Sequence, residues 1–360
     1  MPSAPNPTVI SLQDYSLRSA TARLARQRAE ETRRHPSTQS RRPVGASEPV
    51  GVSADDDIAA VVRQIDAHRS GADGDRPAEP NGLARRVAAV AEFLRRRVTG
   101  DYTIDEFGFD PHLNDAIVMP LLRTLFKGWF RVGVSGIENL PNTGAALVVA
   151  NHAGVLPIDG LMASVAVHDK HPTHRPLRLL AANIVFDNPV LGSAARKAGH
   201  TMACPADAQR LLSKGELTAV FPEGYKGLGK CFKDRYKLQR FGRGGFVSAA
   251  LRTRAPIIPC SIVGSEEIYP MVGDLSLLAR LLGLPYFPIT PLFPLTGPVG
   301  LIPLPSKWHI EFGTPISTAE FDDTAPEDPM VTFEMTDRVR ETIQHTLYRL
   351  LMNRRNTFLG

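Results

Sequence analysis

Between Ala145 and Gly264, short apolar runs alternate with segments of helical periodicity, and no other feature limits the possible folds as strongly. This alternation is typical of βαβ units, whose parallel strands form one sheet. The predicted strands are Ala145–Ala150, Leu177–Ala181, Leu217–Phe221, Pro256–Val263 and a later Trp308–Phe312. The predicted helices are Asp159–His168, Pro189–Ala198, Pro205–Lys214, Gly245–Arg254 and a final helix from about Pro329. The pattern predicts an α/β fold with a mixed, mostly parallel central sheet flanked by helices.

Residues 1–80 differ from the rest in composition, being rich in Pro, Ser, Ala, Arg and Asp and poor in large apolar residues. Such a segment buries too little apolar surface to offset the entropy of ordering. We expect a mostly disordered tail, interrupted by short helices from Ser16 to Arg34 and from Asp55 to His68. The expected organisation is this tail at 1–80, amphipathic membrane-interface helices at 81–132, an α/β domain at 133–325 and a C-terminal helix at 326–360.

Two helices are predicted in residues 81–132. The first carries apolar residues at helical spacing from Leu83 to Val98, and the second runs from about Asp115 to Arg131. The second places Arg123, Lys127 and Arg131 in one row beside apolar and aromatic residues, which is typical of a helix at a membrane interface. A helix packed on its own domain with solvated basic side chains explains the pattern equally well.

Charge and cysteine content narrow the class of protein. The chain has 42 Lys and Arg against 37 Asp and Glu, and the net charge of +5 suits an anionic partner without identifying it. The three cysteines, Cys204, Cys231 and Cys260, form no CxxC pair, which argues against a disulfide scaffold or zinc ribbon and fits a reducing compartment. After Val9 and Ile10 the N-terminus turns polar, so it lacks the apolar core of a secretory signal.

The range 281–306 contains no charged residue but seven prolines. Proline lacks an amide donor, and the unpaired carbonyls would be costly in hydrocarbon, so a simple spanning helix is excluded. Within this range, Leu281–Pro305 carries Tyr286, Phe287 and Phe293, which fits an apolar loop near an acyl chain or dipping into a leaflet. A Pro-rich loop packed over the core fits equally well.

The first candidate site follows the predicted strand Ala145–Ala150. This strand runs directly into Asn151 and His152, and Asp159 lies at the start of the next helix. Open α/β sheets place their sites at the carboxyl ends of strands, and an imidazole there can act as a general base, oriented by a carboxylate on its other nitrogen. Taken alone, the His–Asp pair is a weak indication of a catalytic site, because helix-capping aspartates and strand-end histidines are common.

A second loop at the same edge of the sheet follows the predicted strand Leu217–Phe221. It reads Phe221-Pro222-Glu223-Gly224-Tyr225-Lys226 and delivers a carboxylate, a flexible glycine and a lysine. A Pro-Gly turn with a solvated glutamate is the simpler explanation for these residues taken alone.

The strongest charge feature lies between Tyr225 and Arg254, where nine basic residues stand against the single acid Asp234. The bases are Lys226, Lys230, Lys233, Arg235, Lys237, Arg240, Arg243, Arg252 and Arg254. Within this range the glycine-rich run 241–245 opens a helix, so backbone amides add partial positive charge. The composition indicates an anion site, most simply for phosphate. A solvated basic face is the alternative, and nucleic acid is disfavoured because no nucleic-acid-binding motif accompanies the charge.

Together these segments resemble the glycerophospholipid acyltransferase superfamily, whose best-known members are lysophosphatidic acid acyltransferases. The resemblance covers about Leu113 to Ile316 and rests on four blocks in the family's order. Block one is Asn-His followed by Asp, and block two lies near Gly199. Block three is Phe-Pro-Glu-Gly followed by a basic residue, and block four is the apolar run 255–259 around Pro256. The order and spacing of the blocks are more specific than any single block.

Three positions depart from the family's usual pattern. Six residues rather than four separate His152 from Asp159, so the intervening loop has to bulge for the two to meet. Block two supplies Gly199 and Met202 but no arginine, and block three has Lys226 where an arginine is common. A lysine offers a point charge where an arginine offers a bidentate fork. The missing arginine of block two weakens the expectation of a lysophosphatidate acceptor, although Lys230, Lys233, Arg235 or Arg243 can compensate for it.

The resemblance implies an O-acyltransferase that moves a fatty acyl group from acyl-CoA or acyl carrier protein to the hydroxyl of a glycerolipid such as a lysophospholipid. It implies His152 as the general base and Asp159 as its partner. The substrate-binding residues that we expect are Glu223, Gly224, Lys226, Lys230, Arg235 and Arg243. Neither a metal nor a cofactor is expected beyond the acyl donor, which is a co-substrate.

The expected partners are a membrane surface with anionic lipid, the lipid acceptor and acyl-CoA, and no nucleic acid. We expect a peripheral or monotopic protein of phospholipid biosynthesis at the cytoplasmic face of the cell membrane. Two rival functions stay open, an acyltransferase acting on diacylglycerol or another neutral alcohol and a non-enzymatic basic membrane- or lipid-binding protein. The altered His–Asp spacing and the missing arginine in block two favour the neutral acceptor modestly.

Overall fold

The computed structural model describes residues 82–242 and 244–358, and the side chains of residues 82–90 lie outside that description. The expected tail at 1–80, its two short helices and Arg243 therefore fall outside the described residues. The described part begins with helix α1, Gly82–Thr99, at the place where the sequence predicts the first helix of the 81–132 region.

A seven-stranded sheet forms the centre of the fold. Its strands are β1 Gly133–Ser135, β2 Ala146–Ala150, β3 Arg178–Ala181, β4 Thr201–Met202, β5 Leu217–Val220, β6 Ile257–Val263 and β9 His309–Phe312, while β7 Gly273–Asp274 and β8 Pro288–Ile289 form a separate hairpin. The strand order is β1-β9-β6-β2-β5-β3-β4. Strands β4, β3, β5, β2 and β6 run parallel, whereas β9 is antiparallel to β6 and parallel to β1. The predicted mixed, mostly parallel sheet is confirmed.

Helices flank this sheet. They are α2 (residues 111–129), α3 Ile158–Lys170, α4 Asn183–Asp187, α5 Pro189–Lys197, α6 Pro205–Ser213, α7 Tyr225–Leu228, α8 Gly245–Thr253, α9 Ser276–Leu281 and α10 Pro329–Asn353. The predicted helices that correspond to α3, α5, α6, α8 and α10 lie where the sequence places them. The sequence did not predict α4, α7 or α9, because elements this short carry less than two turns of apolar periodicity.

Strand β2 lies in the middle of the sheet and is buried on both faces. Ala146, Val148 and Ala150 face an apolar layer that includes residues of α2 and α3. Leu147 and Val149 face a second layer, formed with residues of α6, α8 and α10. Because successive side chains of a strand point to opposite faces, burial on both requires such a continuous apolar run. The carboxyl end of β2 therefore emerges in a fixed position between β5 and β6.

Helix α2, which contains two wide π-helical stretches, packs on its own domain. Its buried residues are Asn114, Met119, Leu122 and Phe126. Of the predicted basic row, Arg123 pairs with Asp169 of α3 at 2.7 Å, and Arg131 donates to the carbonyl of Phe358. Lys127 is the exposed member of the row. Two of the three basic residues are thus engaged within the protein, as the interpretation of a helix packed on its own domain requires.

Residues 272–302, which we call the apolar appendage, follow β6 and comprise the β7–β8 hairpin, α9 and a short 3₁₀ turn. The end of the appendage is joined to the body by the Tyr269 hydroxyl, which donates to the Leu301 carbonyl at 2.5 Å. Just outside the appendage, the Leu304 amide donates to the Ile268 carbonyl at 2.9 Å. Within the described part of the chain, no helix is both long and apolar enough to cross a bilayer.

Candidate active site

Asn151 and His152 follow directly on β2, and both are buried. The Asn151 carboxamide extends the sheet toward β6, because its Nδ2 donates to the Ile262 carbonyl at 3.0 Å and its Oδ1 accepts from the Ile262 amide at 2.7 Å. The side chain thereby satisfies backbone groups that would otherwise lack partners at this edge. Asn151 fixes the direction in which the chain leaves the sheet, and with it the position of His152.

The six residues between His152 and Asp159 form a bulge. Gly154 has φ of +94° and Val155 has φ of +60°, a left-handed conformation that a β-branched residue rarely adopts. Two tight turns shorten the loop: the Leu156 amide donates to the Gly154 carbonyl at 2.5 Å, and the Ile158 amide donates to the Leu156 carbonyl at 2.7 Å. The two residues beyond the usual family spacing are absorbed before α3 begins.

His152 and Asp159 are in direct contact, with His152 Nδ1 at 2.8 Å from Asp159 Oδ2. The Asp159 side chain has no solvent exposure, and it also accepts from the backbone amides of Ala153 at 2.9 Å and Gly160 at 2.8 Å. Both Asp159 oxygens accept hydrogen bonds here, so Nδ1 is the donor in the contact with Oδ2. Nε2 bonds to none of the described residues, and the imidazole keeps 10% of its surface exposed.

The loop after β5 packs against two sides of His152. The ring of Phe221 lies 4.5 Å from the imidazole, measured between centroids. On α7, a Cβ at Gly227 would come 2.4 Å from the His152 carbonyl oxygen, so only glycine fits there. The two loops that the sequence predicts at the same edge of the sheet therefore meet around His152.

Glu223 holds these loops together. Its Oε1 accepts from the His152 amide at 2.9 Å and its Oε2 from the Gln239 amide at 2.6 Å, and the side chain is buried. Gly224, with φ of +54°, turns the chain into α7. Because both carboxylate oxygens are occupied by backbone amides, the structure gives Glu223 a bridging position, whereas the resemblance led us to expect that it lines the acceptor site.

Lys230 is buried as well, with 3% of its side chain exposed. Its Nζ lies 2.9 Å from Glu266 Oε1 and 3.7 Å from Glu223 Oε2. Burial raises the pKa of Glu266, and the ammonium of Lys230 opposes that increase. An ammonium held between two buried carboxylates is not available to a substrate anion, so this position differs from the substrate-binding lysine that we expected.

The remaining predicted basic residues are spread apart. Lys226 is exposed on α7, next in the chain to Gly227, which touches His152. Arg235 is exposed, and its guanidinium lies over the Phe232 ring at 4.5 Å. It lines a cavity of about 430 Å³ whose wall does not include His152. Arg243 lies outside the described residues. Of Lys226, Arg235 and Arg243, the structure therefore places Lys226 next to a residue that touches His152.

Sequence reasoning missed an arginine that reaches block two. Arg178, at the start of β3, is 1% exposed; its Nε donates to the Gly199 carbonyl at 3.1 Å and its Nη1 pairs with Asp105 at 2.7 Å. Burial, with Arg178 adding to it, lowers the pKa of His200 to about 4, so that this imidazole is neutral at physiological pH. The signal available in the sequence was a charged residue inside the predicted strand Leu177–Ala181.

Tyr286 is a second residue that the sequence did not assign to the site. Its hydroxyl donates to the carbonyl of Val155 in the bulge. A Cβ at Gly229 would come within 3.0 Å of Tyr286 Cδ1, so the ring packs closely on the end of α7. The apolar appendage is thereby connected to both loops that surround His152.

The arrangement can perform proton transfer. Nε2 can take a proton from a bound hydroxyl, and Asp159 stabilises the imidazolium that results. Among the residues that the structure describes, no three His, Cys, Asp or Glu side chains lie close enough together to hold a metal ion.

Comparison with known proteins identifies a family that the chain matches over the residues of the candidate site. Residues 131–263 match the family model described as Acyltransferase, and this range includes His152, Asp159 and Glu223. An uncharacterized protein of Mycobacterium tuberculosis is 69% identical over 355 residues, covering 98% of this chain and 97% of the relative.

Named relatives are more distant. The human DGAT1/2-independent enzyme synthesizing storage lipids is 26% identical over 232 residues, which are 61% of this chain and 63% of that protein. The chloroplastic 1-acyl-sn-glycerol-3-phosphate acyltransferase BAT2 of Brassica napus is 26% identical over 153 residues, 39% of this chain and 40% of that protein. The crystal structure of the 1-acyl-sn-glycerophosphate (LPA) acyltransferase PlsC from Thermotoga maritima aligns at 16% identity with a TM-score of 0.44, covering 74% of this chain and 96% of that chain.

The expectation of an enzyme is confirmed, and the non-enzymatic alternative is set aside. The family match covers the bulge, the buried aspartate and the two loops that meet at the carboxyl edge of the sheet. The chain belongs to the glycerophospholipid acyltransferase superfamily and is an acyltransferase.

Proposed function

We propose that the protein transfers an acyl group from the thioester of acyl-CoA or acyl carrier protein to a glycerolipid hydroxyl, with His152 as the general base. The observation that carries this proposal is the 2.8 Å contact between His152 Nδ1 and the fully buried Asp159, which leaves Nε2 on the exposed side of the ring. A general base needs an accessible lone pair and a partner for the charge that it acquires, and this pair supplies both.

In the proposed reaction, Nε2 takes the proton of the acceptor hydroxyl while its oxygen attacks the thioester carbonyl carbon. Asp159, whose side chain accepts from the amides of Ala153 and Gly160, stabilises the imidazolium. Collapse of the tetrahedral intermediate breaks the C–S bond, and Nε2 returns the proton to the leaving thiolate. The acyl group passes directly between substrates, and no covalent acyl-enzyme is required.

The first candidate acceptor is a lysophospholipid, with Lys226 binding its anionic group. The exposed position of Lys226 on α7, adjacent to the glycine that touches His152, supports this assignment. A neutral alcohol such as diacylglycerol is the second candidate. It is supported by the engagement of Lys230 with two carboxylates and of Arg178 with Asp105, and by the likeness to a human enzyme named for storage-lipid synthesis.

Substitution of His152 by alanine tests the general base. Purified protein would be assayed for thiol release from acyl-CoA and for lipid product by mass spectrometry. We expect His152→Ala to lower kcat by about 10³-fold, the usual range for loss of a general base. The matched control is His345→Ala, an exposed histidine on α10, which should keep its turnover. Equal kcat in both variants, with both folded by circular dichroism, would contradict the proposal.

An acceptor panel separates the two acceptor classes. The panel contains lysophosphatidate, a zwitterionic lysophospholipid and diacylglycerol, each offered with acyl-CoA and with acyl carrier protein as donor. For an anionic acceptor, Lys226→Met should raise KM by about tenfold because one charge-assisted contact is lost. If the protein acylates only diacylglycerol, and Lys226→Met does not change that activity, the acceptor is a neutral alcohol and not a lysophospholipid.

We also propose a peripheral position at the cytoplasmic face of the cell membrane, where the protein would serve phospholipid biosynthesis. The net charge of +5 supports attraction to anionic lipid. A long-chain acyl donor and a lipid acceptor would both be found in or near that surface.

A further inference from the structure

The apolar appendage exposes large apolar side chains to an unusual extent. The exposed fraction is 82% at Leu277, 82% at Leu281 and 87% at Leu295. The other exposed apolar residues of the appendage are Val272, Leu275, Leu282, Leu284, Leu292, Val299, Leu301 and Ile302. Single apolar residues are normal on a protein surface, whereas this many in one short range mark an interaction site.

The appendage presents these side chains from a folded unit. The Leu275 amide donates to the Phe287 carbonyl at 2.9 Å, and the rings of Phe287 and Phe293 lie 5.4 Å apart. Leu277 and Leu281 are four residues apart on α9, so they lie on one face of that helix. Their exposure therefore belongs to the folded arrangement of the appendage.

The charges around the appendage fit a lipid leaflet. Between Arg280 and Lys307 the sequence has no charged residue. The indole Nε1 of Trp129 donates to the Pro303 carbonyl at 2.8 Å, which brings the end of α2, with the exposed Lys127, beside the appendage. Residues 281–302 of the appendage are uncharged, and the exposed acid Asp274 of the hairpin accepts from the Phe287 amide at 2.8 Å. An apolar surface whose uncharged part is bordered by Arg280, Lys127 and a half-exposed tryptophan complements acyl chains beneath anionic headgroups.

We infer that the apolar appendage docks into the acyl region of a phospholipid leaflet and holds the site loops at the membrane surface. Tyr286 lies in the appendage and donates to the carbonyl of Val155, so docking and the bulge are mechanically connected. The next residue, Leu156, is itself exposed. Together with the proposed function, this arrangement lets a lipid substrate reach His152 without leaving the leaflet.

Vesicle flotation tests the docking surface. The full chain would be floated with vesicles of phosphatidylcholine and phosphatidylglycerol. A variant carrying Leu277→Ser, Leu281→Ser and Leu295→Ser should lose about tenfold or more of its partitioning, because three large apolar side chains no longer enter hydrocarbon.

The matched control carries serine at three exposed apolar positions of α10, which are Met330, Phe333 and Met352. It should float like the wild type. Wild-type partitioning of the appendage variant, or an equal loss in the control, would overturn the inference.

Tryptophan fluorescence locates the docked surface independently. The chain has two tryptophans, and Trp129 is 39% exposed while Trp308 is fully buried. Vesicles with brominated acyl chains should quench the emission of the wild type, and Trp129→Phe should remove the quenching. Absence of quenching in the wild type, or its persistence in Trp129→Phe, would contradict docking at this edge.

A turnover assay separates docking from the proposed reaction. With water-soluble short-chain substrates and no vesicles, the appendage variant should keep wild-type turnover, whereas with long-chain substrates in vesicles its rate should fall with its partitioning. If the appendage variant also loses turnover of the water-soluble substrates, lost docking is not the cause of its lower rate on vesicles, and the inference is overturned. Absence of turnover in every protein would contradict the proposed function alone, since flotation and quenching decide the docking surface.

Discussion

At the residue scale, Asp159 is set apart by its burial and by the three donors that surround its side chain. Asp159→Asn replaces one acceptor oxygen by an NH₂ group, so Nδ1 no longer has an anion beside it and the imidazolium loses its stabilising charge. We expect kcat to fall by about 10³-fold with little change in KM. Steady-state kinetics at saturating acceptor would measure this.

The control for this prediction lies on the same helix. Asp169→Asn makes the same chemical change at a carboxylate that pairs with Arg123, away from His152. It should keep kcat, although the protein loses an ion pair between α2 and α3. A comparable loss of kcat in both variants would show that the Asp159 effect reflects general disturbance of α3.

Gly227 supports a second prediction at this scale, because its close approach to His152 leaves no room for a side chain. In Gly227→Ala the new Cβ would meet the His152 carbonyl oxygen at 2.4 Å, so the backbone of one loop has to move. Displacement of the base by about 1 Å should lower kcat by about 10²-fold. Gly245→Ala, where a Cβ meets no atom within 4 Å, is the matched control and should remain active.

The individual site residues were predictable to different degrees. The positions of His152 and Asp159 followed from a strand end and a helix start, which leave clear patterns in a sequence. The bridging position of Glu223 did not, because a carboxylate after a strand has the same pattern whether it faces solvent or two backbone amides. Lys230 was read as a free cation for the same reason, since charge composition contains no information on a buried partner 36 residues away at Glu266.

At the element scale, α2 and α3 are joined by a polar contact between Asp115 and His168, and the titration of the His168 imidazole can be measured. His168 Nε2 lies 3.1 Å from Asp115 Oδ1, and this contact, with Asp169 adding to it, raises the pKa of His168. Asp115→Asn should lower that pKa, which a proton–nitrogen NMR titration of the ring would measure. A raised folded-state pKa contributes stability that is present below the unfolded value and is lost as pH rises through the folded one.

The stability difference between wild type and Asp115→Asn should therefore be largest just below the ordinary histidine pKa of 6.5 and fade as pH rises through the raised pKa of His168. It should stay below about 1 kcal/mol because Asp115 is exposed. Asp323→Asn, which breaks an exposed ion pair with Arg254, should leave the His168 titration unchanged. A stability difference that grows as pH rises would contradict the assigned contact.

Tyr286 connects two elements that are 131 residues apart in the chain at their point of contact with Val155. Tyr286→Phe removes the hydroxyl and keeps the ring that packs on Gly229. We expect kcat to fall by about tenfold, since the bulge loses one of its anchors, while KM and vesicle partitioning stay as in the wild type. A change in KM alone, or loss of partitioning, would show that Tyr286 acts on binding and not on the position of the loop.

Long elements were predictable and short ones were not. The apolar periodicity of α3, α6, α8 and α10 and the continuous apolar runs of β2 and β6 extend far enough to be recognised. Strands β1 and β4 have three residues and two residues, and they form because the neighbouring strands offer free edges. The engagement of Arg123 and Arg131 was likewise hidden, since a basic row looks the same whether its partners are lipids, water or the rest of the chain.

At the scale of the whole molecule, buried polar contacts hold three loops at the carboxyl edge of β2, β5 and β6. Asn151 bonds to β6, Glu223 bonds to the His152 amide, and Lys230 joins Glu223 to Glu266. The parallel order of these strands could be predicted from the alternation of apolar runs and helices. The polar contacts could not, because they depend on which side chains the finished sheet brings together.

This network makes global stability depend on Lys230. Lys230→Met leaves Glu266 buried without its cation, which should lower the free energy of unfolding by about 3–5 kcal/mol, as measured by urea denaturation. The deficit should grow as pH rises above the ordinary glutamate pKa of 4.5, because burial raises the pKa of Glu266 and a group with a raised folded-state pKa loses its stabilising contribution as pH rises.

A second substitution isolates the buried charge as the cause. In Lys230→Met combined with Glu266→Gln, the carboxamide oxygen can still accept from the Tyr236 amide, which donates to Glu266 Oε1 at 3.1 Å, and the anion at position 266 is gone. The second carboxylate, Glu223, keeps its bonds from the amides of His152 and Gln239. The double variant should therefore be more stable than Lys230→Met alone at neutral pH and should lose its dependence on pH over the same range. If the double variant is no more stable than the single one, packing of the lysine stem and not its charge maintains this edge of the sheet.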